Sequence, residues 1–201
     1  MDQEEVWDAI ARKWSEFRTR TSATVEEFVS ARKGKILDVG CGSGQNFLDV
    51  DGLEWHGVDF SKEMVELARE NAKKKGIGVD LKVSDAVRLP YDDGFFDSVL
   101  FFAVIHCIDS ADKRKKALEE IFRVLKSGGE ALVATWGPKS PRLKNKGKEG
   151  YIPWTVGDGE KQMRYTYIFD LDELVKLCKE VGFDVVKSWE DRNVNVVVRK
   201  E

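Results

Sequence analysis

Apolar positions along this chain alternate between helical and extended spacing. Val6, Ile10, Trp14 and Phe17 fall on one helical stripe, so residues 3–17 are expected to form a helix that buries one side. A shorter helix is expected over 24–31, burying Val25, Phe28 and Val29. Lys35 to Val39 reads as a short buried strand ending in glycines, and Leu53 to Val58 as a second strand. Ser61 caps a helix reaching Lys75: Glu63 lies near its start, Lys73, Lys74 and Lys75 at its end, and Gly76 just after.

Val79 to Val83 alternates as a third strand, and Phe96 to Ile105 is a nearly continuous apolar fourth. Ala117, Leu118, Ile121, Phe122 and Leu125 form the buried stripe of a helix expected to stop at Gly128-Gly129. Glu130 to Trp136 is a fifth strand, followed by a long irregular stretch. Asp170 caps a last helix carrying Leu171, Leu174, Val175, Cys178 and Val181, ended by Gly182. Two closing strands, 184–190 and 194–199, read as an antiparallel hairpin. Strand–helix alternation with fully apolar middle strands means an α/β domain, a parallel sheet with helices on both faces.

Composition narrows the class. A chain of 201 residues is one domain and buries roughly 70% of its unfolded surface, enough for a core without staples. Hydrophobic content of 42% with 34% charged residues excludes a disordered chain. No apolar run approaches the roughly 18 residues of a membrane span. The acidic start, Met1-Asp2-Gln3-Glu4-Glu5, is unlike a signal peptide. Cys41, Cys107 and Cys178 are far apart and lack metal-ligand spacing, so neither a disulfide framework nor a metal is expected, and the setting expected is the reducing cytoplasm. A net charge of −3 means that an anionic partner must meet a local basic patch.

The chemistry concentrates around Asp38-Val39-Gly40-Cys41-Gly42-Ser43-Gly44, placed between the first strand and an expected helix. Glycines there let the backbone turn sharply and approach a ligand. The spacing is GxGxG with an acid two residues before it, whereas the dinucleotide fingerprint is GxGxxG, so a ligand without a pyrophosphate is favoured. Asp59 ends the second strand, where a carboxylate accepts ribose hydroxyls. Asp85 closes the third, followed by Ala86, where a carboxylate takes an exocyclic adenine amine. Three acids at three successive strand ends suit one nucleoside lying across the sheet.

With these residues in order, ILDVGCGSGQNF, GVDFS, VSDAVRLPYDDGFFD and LKSGGEALV resemble the successive motifs of class I S-adenosylmethionine-dependent methyltransferases, over residues 34–136. The resemblance implies a Rossmann-like sheet of order 3-2-1-4-5-7-6 with strand 7 antiparallel. It also implies S-adenosylmethionine as cofactor, S-adenosylhomocysteine as product, and no metal. Gly40, Gly42 and Gly44 would pass under the methionine part, with Asp38, Cys41 and Asn46 of the same motif beside them. Asp59 with Phe60 and Ser61 would hold the ribose, Asp85 and Ala86 the adenine, while Phe102, Ala103 and the residues to Ile105 would line the cofactor near its methyl group.

A narrower resemblance extends over most of the chain. VWDAIARKWSEFRTR, FFAVIHC, YIPW and RYTYIFDLDELVKLC are similar to the tRNA wobble-uridine carboxymethyl methyltransferase family. That family methylates the carboxylate of 5-carboxymethyluridine and commonly works with a small zinc-binding activator. The resemblance implies tRNA as substrate and sets Arg18, His106, Pro153, Trp154, Arg164, Tyr165 and Tyr167 at motif positions. The chain departs from the family pattern at His106-Cys107, where His-His is common, and at Asn193-Val194, where an aromatic follows the Asn.

A carboxylate acceptor is ionised at pH 7 and needs positioning rather than a base. Arg18 or Arg164 suits it as a bidentate fork. His106 would hydrogen-bond the base or shape the methyl pocket, or act as general base if the acceptor is a neutral oxygen or a carbon. Tyr165, Tyr167 and Trp154 suit stacking or hydrogen bonding to a flipped uracil. The catalytic candidates are therefore Arg18, His106, Arg164 and Tyr165. Lys139, Arg142, Lys144, Lys146 and Lys148 form a basic run in the stretch after the fifth strand, suited to an RNA backbone. The expected division is N-terminal helices over the site (1–33), cofactor core (34–136), basic lid (137–169) and closing helix with hairpin (170–201). The third strand would be an open edge for an activator. Rival readings are a methyltransferase for a small metabolite and a non-catalytic RNA-binding or activator module.

Overall fold

The computed structural model describes residues 2–140, 143, 147–157 and 159–201. In chain order these form α1 (Gln3–Phe17), α2 (Ala23–Ser30), β1 (Gly34–Val39), β2 (Leu53–Asp59), α3 (Lys62–Lys75), β3 (Val79–Val83) and β4 (Phe96–Phe102). A 3-10 turn (Ile105–Cys107), α4 (Ala111–Val124), β5 (Leu125–Trp136), β6 (Glu149–Val156), β7 (Glu160–Tyr167), α5 (Leu171–Val181), β8 (Asp184–Glu190) and β9 (Asn193–Arg199) follow.

Seven strands make one sheet in the order β3-β2-β1-β4-β5-β9-β8. β1 to β5 run parallel, and β9 is antiparallel to both neighbours. Leaving the β6–β7 pair out of the count, this is the expected order 3-2-1-4-5-7-6. Leu118 and Ile121 of α4 and Leu174 of α5 pack on Val99, Val133 and Val196 across one face. On the other face Phe28 and Val29 of α2 and Ala68 of α3 meet Ile36, Leu100 and Leu132. Truncating Leu118, Ile121, Leu174, Ile36, Leu100 or Leu132 to Ala costs about 2–5 kcal/mol.

Four local expectations are corrected. No helix follows the glycine loop among the described residues; residues 40–52 run through turns. The loop's carbonyls are met from α3 instead: Lys75 Nζ donates to the oxygens of Gly44, Gln45 and Phe47 at 3.3, 3.1 and 2.9 Å, and Asn71 Nδ2 to that of Ser43 at 2.8 Å. β4 ends at Phe102 rather than Ile105, because Ala103 takes a positive φ of 62° and breaks the strand. α4 ends before Gly128-Gly129, and those glycines lie inside β5, where Gly128 N–H donates to the Lys200 carbonyl at 2.6 Å. The stretch 137–169 is not irregular throughout: β6 and β7 form a separate antiparallel pair. An eight-residue strand reading EKQMRYTY offers no apolar run to find; this ribbon is held by α1 and the 3-10 turn, with Tyr167 reaching the main core.

Candidate active site

At the carboxyl ends of β1, β2 and β4 the chain encloses a cavity of about 310 Å³. This is where parallel sheets bind ligands, since the strand order reverses between β1 and β4. Gly40 turns at φ 70°, and a Cβ there would stand 2.4 Å from Val104 Cγ2. Gly42, at φ 53°, has no atom within 4 Å of where a Cβ would stand, so the loop leaves open space beside its backbone.

Two buried carboxylates support this loop. Asp59 accepts from the N–H of Gly42 at 2.9 Å and from that of Ser61 at 3.0 Å, tying the loop to the start of α3. Burial raises its pKa to about 6 against these hydrogen bonds. Asp38 holds Asn46 Nδ2 at 3.1 Å. Burial, opposed by that bond, lifts its pKa to about 7. Asp38 Oδ1 and Asn46 Oδ1 are buried with no hydrogen-bond partner among the described residues, so two acceptors wait beside the loop. Burial also pushes the Cys41 thiol well above its ordinary value, which leaves it a packing residue rather than a nucleophile.

α1 roofs the cavity with Gln3, Trp7, Trp14 and Arg18 near or at its ends. It is fixed on two sides. The Gln3 amide pairs with the backbone of β7, donating to Met163 O at 3.3 Å and accepting from Tyr165 N–H at 2.8 Å. Asp8 accepts from Ser61 Oγ at 2.5 Å and from Glu63 N–H at 3.3 Å at the start of α3. A second cavity of about 320 Å³ lies beyond Arg18 and Phe102, which line both. With the Gln45 amide in the orientation that satisfies both groups, Arg18 Nη2 donates to it at 3.0 Å and Arg18 O accepts at 2.8 Å.

Gly40, Cys41, Gly42, Asn46, Asp59, Phe60, Asp85, Ala86, Phe102 and Ala103 line the first cavity together. Asp38, Gly44 and Ser61 stand behind its wall: Asp38 holds Asn46, Gly44 lies under the Phe47 ring, and Ser61 caps α3. Ser43, Met64, Ser84 and Cys107 also reach the cavity and were not foreseen. Their neighbours in sequence carried the recognisable pattern, and nothing in Met64 itself marks it.

The catalytic candidates separate. Arg18 lines both cavities, whereas His106, Arg164 and Tyr165 line neither. His106 is buried against Trp136, ring centroids 4.7 Å apart. Burial, with Arg164 and Arg18 adding to it, lowers its pKa to about 3, so it is neutral at pH 7. Arg164 is 4% exposed and lies among four tryptophans, its Cζ 5.5, 4.9, 5.9 and 5.0 Å from the rings of Trp7, Trp14, Trp136 and Trp154. This joins α1, β5, β6 and β7 into one block over the site. Tyr165 donates from its hydroxyl to Glu149 at 2.7 Å and accepts from Arg114 at 3.4 Å.

The substrate candidates are also engaged. Trp154 packs on Trp14 and Phe17, and Tyr167 hydrogen-bonds Glu173 under the Arg114 guanidinium. Lys139 pairs with Glu190 at 3.2 Å, and Lys148 with Asp170 at 3.1 Å and Glu173 at 2.6 Å. Arg142, Lys144 and Lys146 lie outside the described residues. Among the described residues no His/Cys/Asp/Glu cluster is arranged to hold a metal ion, and no helix is long and apolar enough to cross a membrane.

The profile described as "Methyltransferase domain" matches residues 37–133, the stretch holding the glycine loop and both acidic strand ends. A protein of Encephalitozoon cuniculi that carries a methyltransferase name is 30% identical, over 96% of this chain and 93% of its own length. The chain belongs to the S-adenosylmethionine-dependent methyltransferase family. The tRNA (carboxymethyluridine(34)-5-O)-methyltransferase of Xenopus tropicalis is 36% identical over 71% of this chain, which spans 22% of that protein's length. A chain of the complex between the Haloferax volcanii Trm112 methyltransferase activator and a methyltransferase shares the fold, with a TM-score of 0.69 at 21% identity over 99% of this chain and 98% of its own.

The first cavity fits the cofactor of that family. The open side of Gly42 would admit the methionine part, Asn46, held by Asp38 from behind the wall, would meet its ammonium, and Asp59 and Asp85 line the cavity where they would meet ribose and adenine.

Proposed function

We infer that the chain methylates the carboxylate of 5-carboxymethyluridine at the tRNA wobble position. S-adenosylmethionine bound in the first cavity supplies the electrophilic methyl group. The observation that carries the reading is the position of Arg18, the one catalytic candidate in the wall common to both cavities. A guanidinium there orients a carboxylate toward the cofactor without taking its charge. No proton has to be removed from a carboxylate at pH 7, which agrees with a His106 that is buried, neutral and off both cavities. The tRNA methyltransferase relative supports the same acceptor.

The basic run supplies the RNA contact in this reading, with ion-paired Lys139 and Lys148 exchanging Glu190, Asp170 and Glu173 for phosphates. Among the described residues β3 pairs only with β2, and Val83 at its end is 53% exposed, which supports a small zinc-binding activator added along that edge. The test is methyl transfer from labelled S-adenosylmethionine to bulk tRNA, with and without a Trm112-type activator, followed by nucleoside mass analysis. A labelled carboxymethyluridine ester is the expected product. Cofactor binding with no labelled RNA in either condition rejects the tRNA acceptor.

A further inference from the structure

The second cavity has a composition that the cofactor does not need. It lies under the connection between α1 and α2, against the ends of β4 and β5 and the start of β9. Phe17, Phe102 and Trp136 line it together with Arg18 and Arg20, and Arg18 reaches both cavities. Asn193 adds an amide. It stands directly opposite Trp136 in the β5–β9 register. Its backbone is engaged in the β8–β9 turn: the N–H donates to Asp191 Oδ1 at 2.6 Å, and the carbonyl accepts from Asp191 N–H at 2.9 Å and from Asn195 Nδ2 at 3.3 Å. Both the strand pairing and the turn fix the Asn193 Cα at the cavity wall.

Three aromatic residues, an asparagine and two arginines around one cavity suit a planar, hydrogen-bonding ring that carries an anionic arm. An unstacked base is read by stacking on aromatics and by hydrogen bonds to its Watson–Crick edge. A primary amide offers one acceptor beside one donor. Uracil offers the complement, the N3–H donor flanked by carbonyl acceptors. We propose that this cavity seats the uracil ring of the acceptor, with Asn193 reading its N3–H and adjoining carbonyl while Arg18 turns the 5-carboxymethyl arm past Phe102 toward the cofactor. Asn193 is thus a specificity residue for the acceptor, and Arg20 is left for the flanking phosphate. The assignment rests on the carboxymethyluridine reading above.

The test separates binding from methylation. Binding of 5-carboxymethyluridine and of its N3-methyl derivative to the chain saturated with S-adenosylhomocysteine is measured by calorimetry, for wild type, Asn193→Ala and Asn193→Asp. Wild type is expected to prefer the parent nucleoside about tenfold, the value of one buried hydrogen bond. Asn193→Ala is expected to bind the two alike, with S-adenosylhomocysteine affinity unchanged. Asn193→Asp keeps the acceptor and retains part of the preference, which distinguishes reading of the edge from loss of fold. A preference that survives intact in Asn193→Ala overturns the proposal, as does equal binding of both nucleosides, or of neither, by wild type. Methylation of wobble carboxymethyluridine in tRNA is assayed in parallel. Product formation with no effect of Asn193→Ala rejects the seat and keeps the acceptor. Edge-dependent binding without methyl ester keeps the seat and rejects the reaction.

Discussion

The guanidinium carbon of Arg164 lies 4.9 Å from the ring of Trp14, so a charge on the β6–β7 hairpin is buried against the helix that roofs the cofactor cavity. Three further tryptophans complete the enclosure. The family resemblance made this arginine one of two candidate forks for the acceptor carboxylate, beside Arg18; its place among the rings also makes it a pin between α1 and the hairpin. Arg164→Lys keeps the charge and loses the planar stacking over several rings. It is expected to cost about 1–2 kcal/mol in urea unfolding. Arg164→Ala is expected to cost about 3 kcal/mol, because it also leaves a void among large side chains. Equal stability of all three proteins would show that the enclosure adds nothing.

Ala103 ends β4 at φ 62° and lines the cofactor cavity, with its N–H donating to Ala134 O at 2.7 Å. A left-handed alanine costs about 1–2 kcal/mol, and the β4–β5 ladder holds it there. Ala103→Gly is expected to raise unfolding stability by about 1 kcal/mol with the cofactor site intact. Ala103→Val is expected to lower it by about 2 kcal/mol or more, since a β-branched residue tolerates that φ least. Its added methyls also stand at the cavity wall, so S-adenosylmethionine binding weakens in a calorimetric titration. Ala103→Val that binds cofactor like wild type rejects the crowding argument.

What was legible in the sequence divides along physical lines. Strands β1, β2, β4 and β5 and the helices that cover them bury continuous faces, and burial leaves a period in the sequence. The cofactor loop was legible for a different reason: glycines at fixed spacing before an acidic strand end have few other uses. The surroundings of His106, Arg164 and Tyr165 were not legible. Spacing does not say whether an arginine faces a ligand or a set of tryptophans from α1, β5 and β6. The β6–β7 ribbon was hidden because it packs on α1, with Gln3 clamping Met163 and Tyr165 some 160 residues away. Asn193 was noticed only for the residue that follows it, since its nearness to Arg18 comes from the register of β9 with β5.

The exposed end of β3 gives a prediction for the activator proposed above. Val83 stands 53% exposed on an edge strand, where an added strand would cover it. A Trm112-type protein is expected to raise the melting temperature of the wild-type chain in a mixture. Val83→Lys is expected to abolish most of that increase, because an ammonium resists burial and edge lysines oppose strand addition. Its own melting temperature, measured alone, is expected to match wild type. Stabilisation of Val83→Lys equal to that of wild type moves the partner away from this edge.

Asp38 carries a buried proton whose loss can be followed by pH. Its folded pKa is about 7, raised chiefly by burial, against an ordinary value of 3.8. The unfolded chain therefore ionises this group first. Its contribution is complete below about pH 4, declines as pH rises, and is level above about pH 7, a total on the order of a few kcal/mol. Asp38→Asn removes the titration and keeps a neutral partner for Asn46, whose Oδ1 is available to accept after an amide flip. Without cofactor, the melting temperature of Asp38→Asn minus that of wild type is expected to grow between pH 4 and 7 and then level off. Cofactor reverses the preference, because an ammonium beside Asp38 favours the carboxylate. Wild-type affinity for S-adenosylmethionine is therefore expected to rise with pH up to about 7, with proton release visible as buffer-dependent heat. Asp38→Asn is expected to bind more weakly and to lose the part of that rise that ends near pH 7, leaving the part set by Asp59, whose pKa is about 6. A melting difference that stays flat from pH 4 to 8 would place the proton elsewhere, and Asp59→Asn is the variant to compare.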